Sequence, residues 1–127
     1  RRPSDLLDGI RPGVPEGWRA LLVLPSREAL RRRIAARDAA QVAAGWPAEV
    51  ERLAAAGHRP DLEALRPLGY AEWLKGGDPR GIQARIVQAT RAYGKRQITF
   101  FRNQWPDLPC WDPDLEDLAA AFARLGL

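Results

Sequence analysis

The sequence predicts an α/β chain that is mostly helical, with one or two strands. Three observations lead there. The stretch "WRALLVL", Trp18 to Leu24, is continuously apolar after Arg19 and stops at Pro25, at a strand's length. Longer stretches repeat apolar residues at helical spacing, notably Leu30 with Ile34, and Ile82 with Ile86, Ala89 and Tyr93. Glycine and proline punctuate the chain between them.

The opening "RRPSDLLDGIRPGVPEG" is rich in proline and glycine and is expected to be irregular. The Trp18–Leu24 run fits a buried strand of a parallel sheet, because such strands are apolar on both faces. Ser26 is a candidate N-cap, and Glu28 lies in the first turn, where the helix dipole favours an anion. That helix should reach about Ala44 and stop at Gly45. Leu30, Ile34 and Val42 mark its buried side, with Arg33, Arg37 and Gln41 in an i, i+4, i+8 row beside it.

A second helix follows, with Pro47 at a first helical position and Gly57 at its end. "RPDLEALRPLGYAEWLKGGD" reads as two short helical pieces, broken at Pro67 and Gly69 and ended by Gly76 and Gly77. The longest helix opens at Asp78 and Pro79 and runs to about Arg102. Phe100 or Phe101 extends its apolar side, while Arg91, Lys95 and Arg102 lie near one another on a different side. Cys110 and Trp111 allow a short strand. Asp112 and Pro113 should begin a final amphipathic helix carrying Leu115, Leu118, Ala119, Phe122 and Leu125.

Composition narrows the function. With 46% hydrophobic and 28% charged residues the chain reads as globular. Its net charge of +4 favours an anionic partner. One cysteine, Cys110, excludes an internal disulfide and fits a reducing compartment. Cys110 and His58 cannot by themselves make a structural zinc site. No apolar run approaches the roughly 18 residues of a membrane span, and no signal-peptide core follows the first residues. The chain has no methionine, which points to a processed product or a fragment.

Several candidate sites have ordinary explanations. There is no phosphate-cradling glycine loop and no nucleophile elbow. Asp61 and Glu63, or Asp112, Asp114 and Glu116, fit helix starts better than catalysis. His58 fits an exposed position, and Cys110 fits packing. The cations are more telling. Between Asp78 and Asp107 there are six of them and no acid. They are interleaved with Tyr93, Phe100, Phe101 and Trp105, and Gln97 and Thr99 add neutral hydrogen-bonding groups. Such a surface can hold phosphates and stack bases. Basic amphipathic helices also bind membranes and acidic proteins, so the residues alone leave the partner open.

The stretch "TRAYGKRQITFFR", Thr90 to Arg102, resembles the late signature TRxxAKRQxTWxR of bacterial tRNA dimethylallyltransferases. "LPSREALRRRIAARDAAQVAAGWPAEVERL" resembles the family's R-I-x-x-R segment and its E-V-x-x-L run. "LRPLGYAEW" resembles its R-x-x-G-Y-x-E element, and "RRPSD" its junction T-G-x-P-x-S. Order and spacing agree over roughly residues 1–112.

The resemblance implies the C-terminal part of a P-loop, nucleotide-kinase-like core together with tRNA-binding helices. The N-terminal P-loop half, with its catalytic aspartate, and the helical insertion would lie outside these 127 residues. It implies a cytoplasmic transferase, monomeric when complete, that moves a dimethylallyl group from dimethylallyl diphosphate to N6 of the adenine 3′ of the anticodon. This chain would be inactive alone. Magnesium is implied for the whole enzyme and no metal for this chain.

By motif position, Arg37 contacts the diphosphate leaving group, and Arg33 is a weaker candidate for that role. Arg66, Gly69 and Tyr70 belong to one tRNA-contacting element, and Lys95, Arg96, Gln97, Thr99 and Arg102 to another. Gln41, Gly94 and Phe100 depart from the usual methionine, alanine and tryptophan, and Pro67 constrains the R-x-x-G-Y turn. The competing readings are a non-catalytic RNA-binding module and a basic helical domain with an acidic protein partner.

Overall fold

The computed structural model describes residues 13–126. The irregular start expected at residues 1–12, with its "RRPSD" resemblance, lies outside the described residues. The chain forms two compact units, one of residues 27–95 and one of residues up to 26 together with those from 96 onward.

In the 27–95 unit, α1 (Arg27–Ala43) is followed by α2 (Trp46–Leu53). Pro47 sits in the first turn of α2, where its missing N–H costs nothing. A wide turn at Ala54–His58 leads into α3 (Arg59–Leu65), and Gly57 bends the chain there with φ 96°. Arg66 caps α3 in the left-handed conformation, φ 46°. Gly69 then starts α4 (Tyr70–Lys75), and its N–H donates to Glu72 Oε2 at 2.7 Å. The break at Pro67 and Gly69 is therefore where the sequence places it.

Helix α5 (Pro79–Gln104) is continuous. Asp78 Oδ2 accepts from the Gly81 N–H at 2.9 Å and secures its first turn. The core of this unit is Ala29, Val50, Leu62, Ile82 and Ile86. Leu30, Ile34 and Val42 are only half-buried, and α1 buries Ala29 and Asp38 instead. Burial along α5 fades after Ile86: Tyr93 is 50% exposed. A Cβ on Gly94 would lie 3.3 Å from Leu30 Cδ2, a side-chain tip that can turn aside. Gly94→Ala is thus expected to stabilise the chain by about 0.5 kcal/mol, most of the helix-propensity gain less some crowding. Urea denaturation checks this.

In the other unit, the strand is shorter and more exposed than its sequence suggests. β1 covers only Leu22–Val23 and pairs in parallel with β2 (Cys110–Trp111), Leu22 opposite Cys110. The parallel sense agrees with expectation; the burial does not. Trp18 is 73% and Val23 55% exposed. Among the described residues the sheet has two strands, so each of them is an edge strand.

The final helix also starts later than expected. Asp112 closes a turn, taking the Leu115 and Glu116 N–H groups on its carbonyl and the Asp114 N–H on its carboxylate. This side-chain turn competes with a helix start. Asp117 caps α6 (Leu118–Leu125) instead, its Oδ1 accepting from the Ala120 N–H at 2.7 Å. Leu115 is left 85% exposed. Arg124 ties α6 to β2: it pairs with Glu116 and donates to the Cys110 carbonyl at 3.2 Å. Cys110 itself is exposed, contrary to the packing role expected of it.

Candidate functional site

The row Arg33, Arg37 and Gln41 follows from helical geometry, since residues four apart share a face. In the 27–95 unit this row meets α2, α4 and α5 around a cavity of about 620 Å³. Leu30, Ile34, Leu68 and Ile86 give it aliphatic walls, and Trp46, Tyr70 and Tyr93 aromatic ones. Arg33, Arg37, Gln41, Asp38, Glu49 and Thr90 supply its polar groups. A volume of this order holds a small molecule. Arg33 and Arg37 are both exposed on α1, where a planar guanidinium can engage an anion bidentately.

The R-x-x-G-Y element divides. Arg66 is exposed on its turn. Gly69 is buried, and its φ of 88° lets it lie under the Trp46 ring, in space a Cβ would occupy. Tyr70 lines the cavity. Its hydroxyl donates to Glu49 Oε1 at 3.1 Å, and its ring meets Trp46 edge-on, with centroids 5.6 Å apart. Burial, followed by the neighbouring Glu49 carboxylate, holds the Tyr70 hydroxyl above the ordinary phenol range.

Lys95, Arg96, Gln97, Thr99 and Arg102 do not line the cavity. All five are exposed on the last turns of α5. Lys95, Thr99 and Arg102 recur at i, i+4 and i+7, one stripe of the helix. Arg96 and Gln97 point elsewhere around it. Phe101 stacks on Trp105, with centroids 5.8 Å apart and planes 18° from parallel.

Asp38, Trp46, Glu49, Gln83 and Thr90 were not among the expected site residues. Asp38 could have been found. It follows Leu30 and Ile34 at the same four-residue spacing, so a carboxylate falls on the apolar row. Glu49 and Trp46 carry no such signal, because only packing brings α2 against Tyr70.

No helix among the described residues is long and apolar enough to cross a membrane. No cluster of three or more carboxylate, imidazole or thiolate groups suited to a metal occurs among them.

The family model described as IPP transferase matches residues 11–104. A tRNA dimethylallyltransferase of Bradyrhizobium sp. (strain ORS 278) is 44% identical over 104 residues, covering 79% of this chain and 34% of that protein. One from Opitutus terrae is 43% identical over 103 residues, covering 76% and 34%. The chain thus spans about a third of the length of these curated relatives. The crystal structure of a tRNA delta(2)-isopentenylpyrophosphate transferase from Staphylococcus epidermidis superposes with a TM-score of 0.69 at 23% identity, over 84% of this chain and 36% of that one. At that identity the likeness is one of fold.

Proposed function

The chain belongs to the IPP transferase family, and we propose that in its complete protein it serves transfer of a dimethylallyl group from dimethylallyl diphosphate to N6 of the adenine 3′ of the anticodon. The cavity carries this reading. It sets the exposed Arg33 and Arg37 beside Leu30, Ile34 and Ile86, which suits a molecule with an anionic end and a branched hydrocarbon tail.

In the reaction the C1–O bond of the donor breaks, N6 bonds to C1, and the N6 proton passes to a base. Arg37 donates to the diphosphate oxygens as charge grows on them, a contribution largest in the transition state. The base and the phosphate loop belong to parts of the protein outside this chain. Arg66 and the stripe of Lys95, Thr99 and Arg102, with Arg96 and Gln97 beside it, hold the anticodon stem-loop. Gly69 and Tyr70 shape the turn that presents Arg66, and Tyr70 also lines the donor cavity. The protein is read as cytoplasmic and monomeric when complete, with magnesium held by residues outside this chain.

The test is to supply the complete protein with an anticodon stem-loop RNA and dimethylallyl diphosphate. Prenylation of the adenine 3′ of the anticodon is expected; none would refute the reading. Lys95→Ala and Arg102→Ala are each expected to weaken stem-loop binding and to flatten its logarithmic salt dependence by about one unit. Filter binding across a salt series measures both. An unchanged slope would remove these residues from the RNA surface.

A further inference from the structure

Helix α1 carries Arg27, Arg31, Arg32 and Arg33 in its first two turns, all exposed. Cations there face the positive end of the helix dipole, and Arg27 with Arg31 is a like-charge pair at i, i+4. The one acid in these turns, Glu28, lies 3.9 Å from Arg32. Arg27 and Arg31 have no hydrogen-bond or ion-pair partner for their side chains among the described residues.

Packing brings more charge of the same sign alongside. Leu30 Cδ2 lies over Gly94, 3.3 Å from where a Cβ would stand, and Asp38 accepts a hydrogen bond from Gln83. Numbers rise along α1 as they fall along α5, so the two helices run antiparallel. At about 100° per residue, Arg27 and Arg31 lie about 60° and 100° round α1 from Leu30. Arg91 and Lys95 stand in the same relation to Gly94 on α5, three residues before it and one after. Across an antiparallel contact these two flanks fall on one side. Arg32 falls on the far side of α1. Arg91 and Lys95 are both exposed, and no acid occurs on α5. Cations held side by side repel one another, and a polyanion laid along them offsets that cost.

We propose that the seam between α1 and α5, through Arg27, Arg31 and Arg91 together with Lys95, extends the RNA-binding surface from one helix to two and takes phosphates of the RNA backbone. This rests on the reading that the basic end of α5 holds RNA. The seam reads no base. Its cations contact phosphate oxygens, and its affinity comes from the counterions they release. Its task is separate from that of Arg33 and Arg37, because none of its four cations lines the donor cavity.

Filter binding of the complete protein to a whole tRNA transcript across a salt series tests the seam. Arg27→Gln combined with Arg31→Gln is expected to weaken binding about tenfold or more. It should also flatten the logarithmic salt dependence by about two units, and Arg91→Gln by about one. Glutamine is nearly as good a helix former as arginine and relieves the repulsion, so the urea midpoint of each variant is expected to hold or rise. Arg32→Gln removes one charge from the same run on the opposite side and is expected to leave the slope as it was. Unchanged slopes in the Arg27, Arg31 and Arg91 variants overturn the seam and leave the functional reading intact. An equal loss with Arg32→Gln overturns it too, since net charge alone would then set the affinity. Absence of salt-dependent tRNA binding by the unaltered protein overturns both.

Discussion

Replacing Arg37 with alanine is expected to lower turnover of the complete protein about 100-fold while leaving stem-loop affinity unchanged. Arg37 is exposed on α1, lines the cavity, and has no hydrogen-bond or ion-pair partner among the described residues. Removing it therefore strands no neighbour. Alanine is also a better helix former, so α1 keeps its stability and lost activity cannot be blamed on unfolding. In the proposed role, what disappears is a planar donor fork for the departing diphosphate, where negative charge develops as the C–O bond breaks. Such a loss appears in kcat more than in RNA binding. Arg37→Lys should recover part of the rate, since the charge returns without the fork. Single-turnover prenylation and stem-loop titration separate the two effects. Unchanged turnover with lost RNA binding would move Arg37 from the donor to the RNA.

Gly69→Ala is expected to destabilise the chain by about 3 kcal/mol, read from the urea midpoint at constant slope. Two costs combine. At φ 88° an L-residue is strained by roughly 1–2 kcal/mol, and the new Cβ would run into the Trp46 ring. Trp46 cannot move without disturbing its edge contact with Tyr70, whose hydroxyl is held by Glu49. Gly57→Ala separates the terms, because Gly57 has a similar φ of 96° with nothing within 4 Å of a Cβ. It should show the backbone cost alone. If both variants lose the same stability, Trp46 yields without cost and the cavity wall is softer than its packing implies.

Much of the local structure is legible in the residues. The breaks at Gly45, Pro67–Gly69 and Gly76–Gly77, and the long helix from Pro79, coincide with the structure because backbone chemistry acts within a few residues. The parallel sense of β1 was legible too, from apolarity on both faces. Its length and burial were not, since they depend on how many strands lie beside it. The α6 start went astray because Asp112 and Asp117 are both competent caps, and the Asp112 turn decides between them.

For the site, the arginine row, the R-x-x-G-Y turn and the basic end of α5 can all be picked out by spacing. Spacing cannot say which residues face one another. The sequence alone determined where helices begin and break, which cations share a helix stripe, and, through ordered motifs, the family. Only the tertiary structure decided that Arg33 and Arg37 meet Tyr70 around one cavity, that Gly69 lies under Trp46, and that Asp38 is sealed inside with an unpaired oxygen. The physical reason is range. Helix propensity, capping and turn chemistry are set within about four residues. Burial and hydrogen-bond partners depend on groups such as Asp38 and Gln83, or Glu49 and Tyr70, that the chain brings together only by packing.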